Sequence, residues 1–191
     1  MINIVLDIDG VMAKHMEMVK QKLNLPQIDG NDYGFPELSD EDRNRVFDFM
    51  RSESYAESCV PDPLVQDFFA KCKRMSIPVS VLTARDTCIA DDTLEWVEEH
   101  FGVCDVVFES NKAQYLNDLN TLTGEKFVLI DDLSSNLEGL NLPNTGVVFL
   151  RPGQWYSFVE HGFESVSDWF LDDFLNKILV EQYGRCCHES T

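Results

Sequence analysis

Three apolar runs in this chain end in side chains that can do chemistry: Asp7-Ile8-Asp9-Gly10-Val11, Thr83-Ala84-Arg85-Asp86 and Asp131-Asp132-Leu133-Ser134-Ser135-Asn136. A lysine, Lys112, opens a helical pattern between the second and the third. Each fragment alone has an ordinary explanation. Asp9-Gly10 can be turn chemistry, Asp131-Asp132 can cap a helix starting at Leu133, and a single lysine is usually solvated. Their joint occurrence is different, because independent turns and caps have no reason to collect at one edge of one sheet. Four acids, a hydroxyl and an ammonium gathered there suit a small anion, since a bound divalent cation and local basic groups can reverse the field inside a pocket.

The elements that must position these groups follow from periodicity. Residues 2–8 form an apolar, β-branched run, and similar runs cover 79–82, 127–130 and 146–150, with a shorter one at 105–108. Such runs read as strands buried on both faces. Helical patterns lie between them at about 62–75, with Asp62 as N-cap and Pro63 in the first turn, and at about 89–100, 112–122 and 167–182. Strands alternating with helices predict an α/β fold: a Rossmann-like parallel sheet with helices on both faces. In open parallel sheets ligands bind beyond the carboxyl ends of the strands, and that is where the acids fall.

Residues 11–60 break the alternation. They hold two helical segments, about 12–23 and 40–53, no convincing strand, and a loop at 26–36 that carries Tyr33 and Phe35. Ser39-Asp40-Glu41-Asp42 gives the second helix a start signal. The predicted organisation is a core of residues 1–11 and 61–185, a small helical cap at 12–60 inserted after the first strand, and a tail at 186–191.

Composition narrows the function. At 191 residues with 44% hydrophobic side chains, the chain is long enough for one globular core plus an accessory piece. Fifteen Lys and Arg against 34 Asp and Glu give a net charge of −19, which repels extended nucleic acid. No window resembles a membrane span or a leader peptide, and the six cysteines, among them Cys186-Cys187, show neither a disulfide framework nor a convincing metal clip. A cytoplasmic protein without a membrane partner is expected, and oligomeric state is not legible.

In their order along the chain these segments resemble the four motifs of the haloacid dehalogenase (HAD) superfamily, over about residues 2–150. The resemblance implies a phosphatase. Asp7 would be the nucleophile that takes the phosphoryl group as an aspartyl-phosphate, and Asp9, two residues on, the general acid and then base. Gly10 would let the backbone turn beside the phosphate. Thr83 and Lys112 would complete the catalytic set by holding and neutralising the phosphoryl group, with Ala84 and Arg85 beside it, although pairing of Arg85 with an acid such as Asp86 is the slightly favoured role. Mg²⁺ would be held by Asp7, the Asp9 carbonyl, Asp131 and Asp132, with Asn136 orienting the acidic pair.

A helical insertion at this point resembles the C1-type cap of the 5′(3′)-deoxyribonucleotidase-like branch, which implies a small phosphorylated partner, a nucleoside monophosphate. Tyr33 and Phe35 are the expected base-stacking residues, while Phe47 and Phe49 are expected to pack the cap. Ala84-Arg85 after the threonine is closer to bacterial and phage relatives and to polynucleotide-kinase phosphatases, so a polynucleotide 3′-phosphatase is the competing expectation. A non-catalytic acidic binding protein on the same fold is the other. His15 has no partner visible in sequence.

Overall fold

A computed structural model of the chain describes residues 2–28, 34–137, 139–140, 149–150 and 164–165. Its centre is a parallel sheet whose strands are β1 (Ile2–Leu6), β4 (Val79–Thr83), β5 (Val106–Phe108), β6 (Lys126–Asp131), β7 (Phe149–Leu150) and β8 (Glu164–Ser165). Their order is β5-β4-β1-β6-β7-β8. β1 is central, pairing Leu6 with Val81 on one side and with Ile130 on the other.

Alternation along the strands sends side chains into two separate apolar clusters. Ile4, Leu6, Val81, Val128 and Ile130 join a large cluster with α4 (Pro63–Arg74) and α5 (Ala90–Phe101). Their neighbours Val5, Leu82, Phe127 and Leu129 face the other way, onto Leu116 of α6 (Lys112–Thr123). The sheet is therefore covered on both faces. The buried positions of α4 are Val65, Phe68, Phe69 and Cys72, the i, i+3, i+4, i+7 stripe of an amphipathic helix. Each such side chain contributes about 1.5–3 kcal/mol when fully buried. Asp62 caps α4 by accepting a hydrogen bond from the Leu64 amide at 2.9 Å, with Pro63 in the first turn, as the sequence predicts.

Between β1 and α4 lie α1 (His15–Leu23), α2 (Asp40–Met50) and α3 (Glu53–Ser58). Ser39 caps α2 through the Asp42 amide at 3.1 Å. Two features of this segment differ from expectation. Its ends are tied by a two-residue antiparallel pair, β2 (Ala13–Lys14) with β3 (Val60–Pro61), too short to leave a periodic signature. The second predicted helix is two, because the chain turns at Arg51-Ser52 and restarts as α3. The predicted helix at 167–182, the tail at 186–191, most of the run at 146–150 and Tyr33 lie outside the described residues.

Candidate active site

The sheet order sets where the site falls. The connections run outward from β1 through β4 to β5, then return to the other side of β1 for β6, so the crevice between the carboxyl ends of β1 and β6 is the topological switch point. Asp7 follows the last residue of β1 and Asp131 is the last residue of β6, and the Asp7 amide donates to the Ile130 carbonyl at 3.0 Å. Two acids far apart in sequence thus meet by strand pairing. Thr83 ends β4 beside them, and Lys112 enters from the first turn of α6.

Lys112 holds the cluster together. Its ammonium lies 2.8 Å from Asp7 Oδ1 and 2.7 Å from Asp131 Oδ2, with all three side chains buried. Asp131 is fully engaged, because its oxygens also accept from the Leu133 amide at 2.8 Å and from Asn136 Nδ2 at 3.1 and 3.2 Å. Asp132 stands against Gly10. Gly10 has φ +84°, and a Cβ there would overlap the Asp132 carboxylate, so this position requires glycine for conformation and for space.

One carboxylate oxygen from each of Asp7, Asp131 and Asp132 lies within 4.8 Å of the other two. Three buried acids face one buried ammonium, and the imbalance shows in the titration of Asp7 and Asp132. Burial pushes the Asp7 carboxyl up to about 7; Lys112 opposes that rise, and Asp131 and Asp9 add to it. Asp132 is raised well above the usual carboxylate range by burial first and then by Asp131 and Asp7. Lys112 is raised in turn, since Asp131 and Asp7 outweigh the burial that would lower it. A set of oxygen donors that crowded, with one positive charge among them, fits a hard divalent cation. Asp7, Asp131 and Asp132 are the side chains that could hold it, with Asp131 also serving Lys112 and Asn136.

Asp9 points elsewhere. Its Oδ2 accepts from Arg85 Nε at 2.9 Å, and its Oδ1 accepts from Arg85 Nη2 at 2.7 Å and from the Tyr55 hydroxyl at 2.8 Å. Burial alone would raise this carboxyl, but the Arg85 guanidinium outweighs it, and the result is about 2. Arg85 is fixed from several directions. It lies 5.0 Å from the Tyr55 ring and 5.7 Å from the Trp96 ring, and it donates to Thr93 Oγ1 at 3.4 Å and Cys59 Sγ at 3.2 Å. Arg85 pairs with an acid, as expected, and that acid is Asp9 in place of Asp86, which lies 3.3 Å from Arg51.

A cleft of about 400 Å³ opens over these groups, lined by Asp7, Asp9, Thr83, Ala84, Arg85, Asp132 and Asn136 from the sheet side and by His15, Phe47, Met50, Arg51 and Tyr55 from the helical side. Phe35, expected to meet substrate, does not reach it. Its ring is fully buried, 5.8 Å from the ring of Phe47, and its backbone has φ +47°. Phe47, expected to pack the cap, does pack against the core cluster and also lines the cleft. Tyr55, Arg51 and His15 were not foreseen as site residues at all, and no local pattern marks them: they reach the cleft only through the packing of α1–α3 onto the core.

No protein-family model matches the sequence. No curated protein is significantly similar to it. Solved structures do share its fold. A protein described as a predicted phosphatase from Clostridium acetobutylicum superposes with a TM-score of 0.63 at 15% identity, over 93% of this chain and 97% of that one. A HAD family hydrolase from Deinococcus radiodurans, with bound phosphate and sodium, gives 0.61 at 12% identity, over 94% and 95%. The D,D-heptose 1,7-bisphosphate phosphatase from B. bronchiseptica, complexed with magnesium and phosphate, gives 0.54 at 14% identity, over 95% and 99%. The chain therefore has the α/β fold of these hydrolases.

Proposed function

We propose that this chain is a HAD-type phosphomonoester hydrolase that works through an aspartyl-phosphate on Asp7. The observation that carries the reading is the meeting of Asp7, Lys112, Asp131 and Asp132 at the switch point of the sheet, with Asp9 two residues beyond the nucleophile. Its fold relatives include phosphatases, one with magnesium and phosphate bound.

In the first step an Asp7 oxygen attacks phosphorus, the bond from phosphorus to the ester oxygen breaks, and Asp9 gives its proton to the departing oxygen. In the second, water attacks phosphorus, Asp9 takes the water's proton, and inorganic phosphate leaves a free Asp7. Thr83 donates a hydroxyl to the phosphoryl group, and Lys112 keeps Asp7 in place while balancing its charge. A divalent cation, Mg²⁺ by the preference of such a site for hard oxygen ligands, would be held by Asp7, Asp131, Asp132 and the Asp9 carbonyl and would neutralise the charge that otherwise repels a dianionic ester. In the conformation described, Asp9 is locked as a carboxylate by Arg85 and Tyr55. It serves as an acid only after turning from them, so entry of substrate and release of this clamp belong to one event.

The helices α1–α3 act as the cap of the site. Tyr55, Phe47, Met50 and Arg51 bring a ring surface and a cation to the cleft, which supports a nucleoside monophosphate as substrate, with Phe47 and not Phe35 as the aromatic candidate. A polynucleotide 3′-phosphatase uses the same core chemistry, but the charge of −19 disfavours a polyanion. The test is phosphate release from an aryl phosphate, from nucleoside monophosphates and from a 3′-phosphorylated oligonucleotide, with Mg²⁺ and with EDTA. Mg²⁺-dependent release, lost in Asp7→Asn without loss of fold, is the expected result. Full activity in EDTA or in the variant overturns the mechanism, and preference for the oligonucleotide overturns the substrate class.

A further inference from the structure

Phe47, Met50 and Arg51, at the C-terminal end of α2, stand at i, i+3 and i+4, so they share one face, and all three line the cleft. That face presents a partly buried ring, a buried thioether and a guanidinium side chain that remains 58% exposed. Two arginines line the cleft, Arg51 and Arg85. Arg85 gives its donors to Asp9, Thr93 and Cys59, so Arg51 is the arginine with donors to offer an occupant.

Arg51 is held in place from the core side. Its Nε lies 3.3 Å from Asp86 Oδ2, and its carbonyl accepts from Cys88 Sγ at 3.5 Å, both on the segment that follows Thr83. Its amide closes α2 by donating to the Phe47 and Asp48 carbonyls at 3.2 and 3.3 Å. Asp86 engages the Nε side of the guanidinium, which leaves the end-on edge, Nη1 and Nη2, with two parallel N–H donors.

The pairing decides what those donors suit. Asp86 already neutralises the guanidinium, and Asp7, Asp9 and Asp132 line the same cleft, so a second anionic group on the substrate gains little there and meets three acidic side chains. A flat pair of neutral acceptors suits the fork, and the Phe47 ring four residues earlier suits a flat partner. Nucleobases differ in this respect. Guanine carries adjacent acceptors at N7 and O6, and cytosine at O2 and N3, whereas adenine sets a donor amino group beside N7 and N1, and uracil sets the N3 hydrogen between its two carbonyls.

We propose that Arg51 is a specificity residue that reads the base of a nucleoside monophosphate, its end-on fork donating to the adjacent acceptors of guanine or cytosine while Phe47 stacks on the ring. The proposal rests on the nucleoside monophosphate reading above and adds which bases are preferred and which residue chooses them. Lysine, a single point charge, offers no such fork.

The test measures kcat/KM for the monophosphates of guanosine, adenosine, cytidine and uridine in wild type, Arg51→Lys and Arg51→Ala. Comparison within the purines and within the pyrimidines keeps ring size constant, so that stacking cancels. Wild type is expected to favour guanine over adenine and cytosine over uracil by about tenfold. Both preferences should vanish in Arg51→Lys and in Arg51→Ala, with the loss falling on the guanosine and cytidine esters and carried mainly by KM. Thermal melting checks that the variants fold, as expected at an exposed position. No base preference in wild type, a preference for adenine and uracil, an equal loss on all four esters in Arg51→Lys, or a preference that survives in Arg51→Ala overturns the role of Arg51 and leaves the phosphatase intact. Hydrolysis of an aryl phosphate with no turnover of any of the four nucleotides overturns the nucleoside monophosphate reading, and this proposal with it. A wild-type protein that hydrolyses none of these esters overturns the phosphatase reading itself.

Discussion

Lys112 shows how much of the site depends on a single side chain. It is buried between Asp7 and Asp131, and removing it leaves Asp131 buried without its cation and Asp7 without its ion-pair partner. Lys112→Met should destabilise the fold by about 3–5 kcal/mol, the usual cost of breaking a buried pair from one side. Chemical denaturation checks this, and added Mg²⁺ should recover part of the loss. Gly10 makes a second demand of the same kind. A methyl group there collides with Asp132 at a backbone angle that L residues avoid, so Gly10→Ala should weaken Mg²⁺ binding at least about tenfold by titration calorimetry, with a strain cost of about 1–3 kcal/mol. An unchanged Mg²⁺ affinity would show that Asp132 is not a ligand. At this scale the sequence was informative where chemistry and position coincide: Asp7, Thr83, Asp131 and Asp132 stand at strand ends, and strand ends are visible as the close of apolar runs.

Elements decide what those residues can do. β1, β4 and β6 bring their ends together because each is apolar on both faces and central in the sheet, a property readable from composition. The helical side was less legible. Tyr55 reaches Asp9 across 46 positions and Arg85 reaches it across 76, distances over which no periodicity speaks. Which of Phe35 and Phe47 meets the cleft was not readable for a related reason: the two rings pack on each other, and Phe47 is the one that lines the cleft. Trp96 of α5 links the layers, since its indole N–H donates to the Cys59 carbonyl at 2.9 Å while its face flanks Arg85. Trp96→Ala should cost about 3–5 kcal/mol, as large buried aromatics do, and should free Arg85 and α3 together. Thermal melting gives the first effect. Faster hydrogen exchange in α3 than in β6 gives the second, and uniform exchange would contradict the coupling.

Across the whole molecule, 34 acidic residues against 15 basic ones set how the protein meets its surroundings. An oligonucleotide carrying a 3′-phosphate should be a poorer substrate than a mononucleotide, and the gap should narrow as salt screens the repulsion. A gap that widens with salt would point to a basic binding surface. Stability should carry a related signature. Asp7 is raised from 3.8 to about 7 in the fold, so without a cation its contribution is fully present below about pH 4 and is lost as pH rises through 7. Asp9, lowered to about 2, works in the opposite sense but is spent below pH 4. Metal-free protein should therefore lose melting temperature between about pH 4 and 7, and Mg²⁺ should raise it more at pH 8 than at pH 5. Among the described residues no helix is long and apolar enough to cross a membrane. The most direct test of the account is to mix enzyme with a hydrolysable phosphomonoester, quench in acid and map the modified peptide by mass spectrometry. A phosphoryl group on Asp7, absent in Asp7→Asn, is the predicted result; steady turnover with Asp7 never phosphorylated would contradict it.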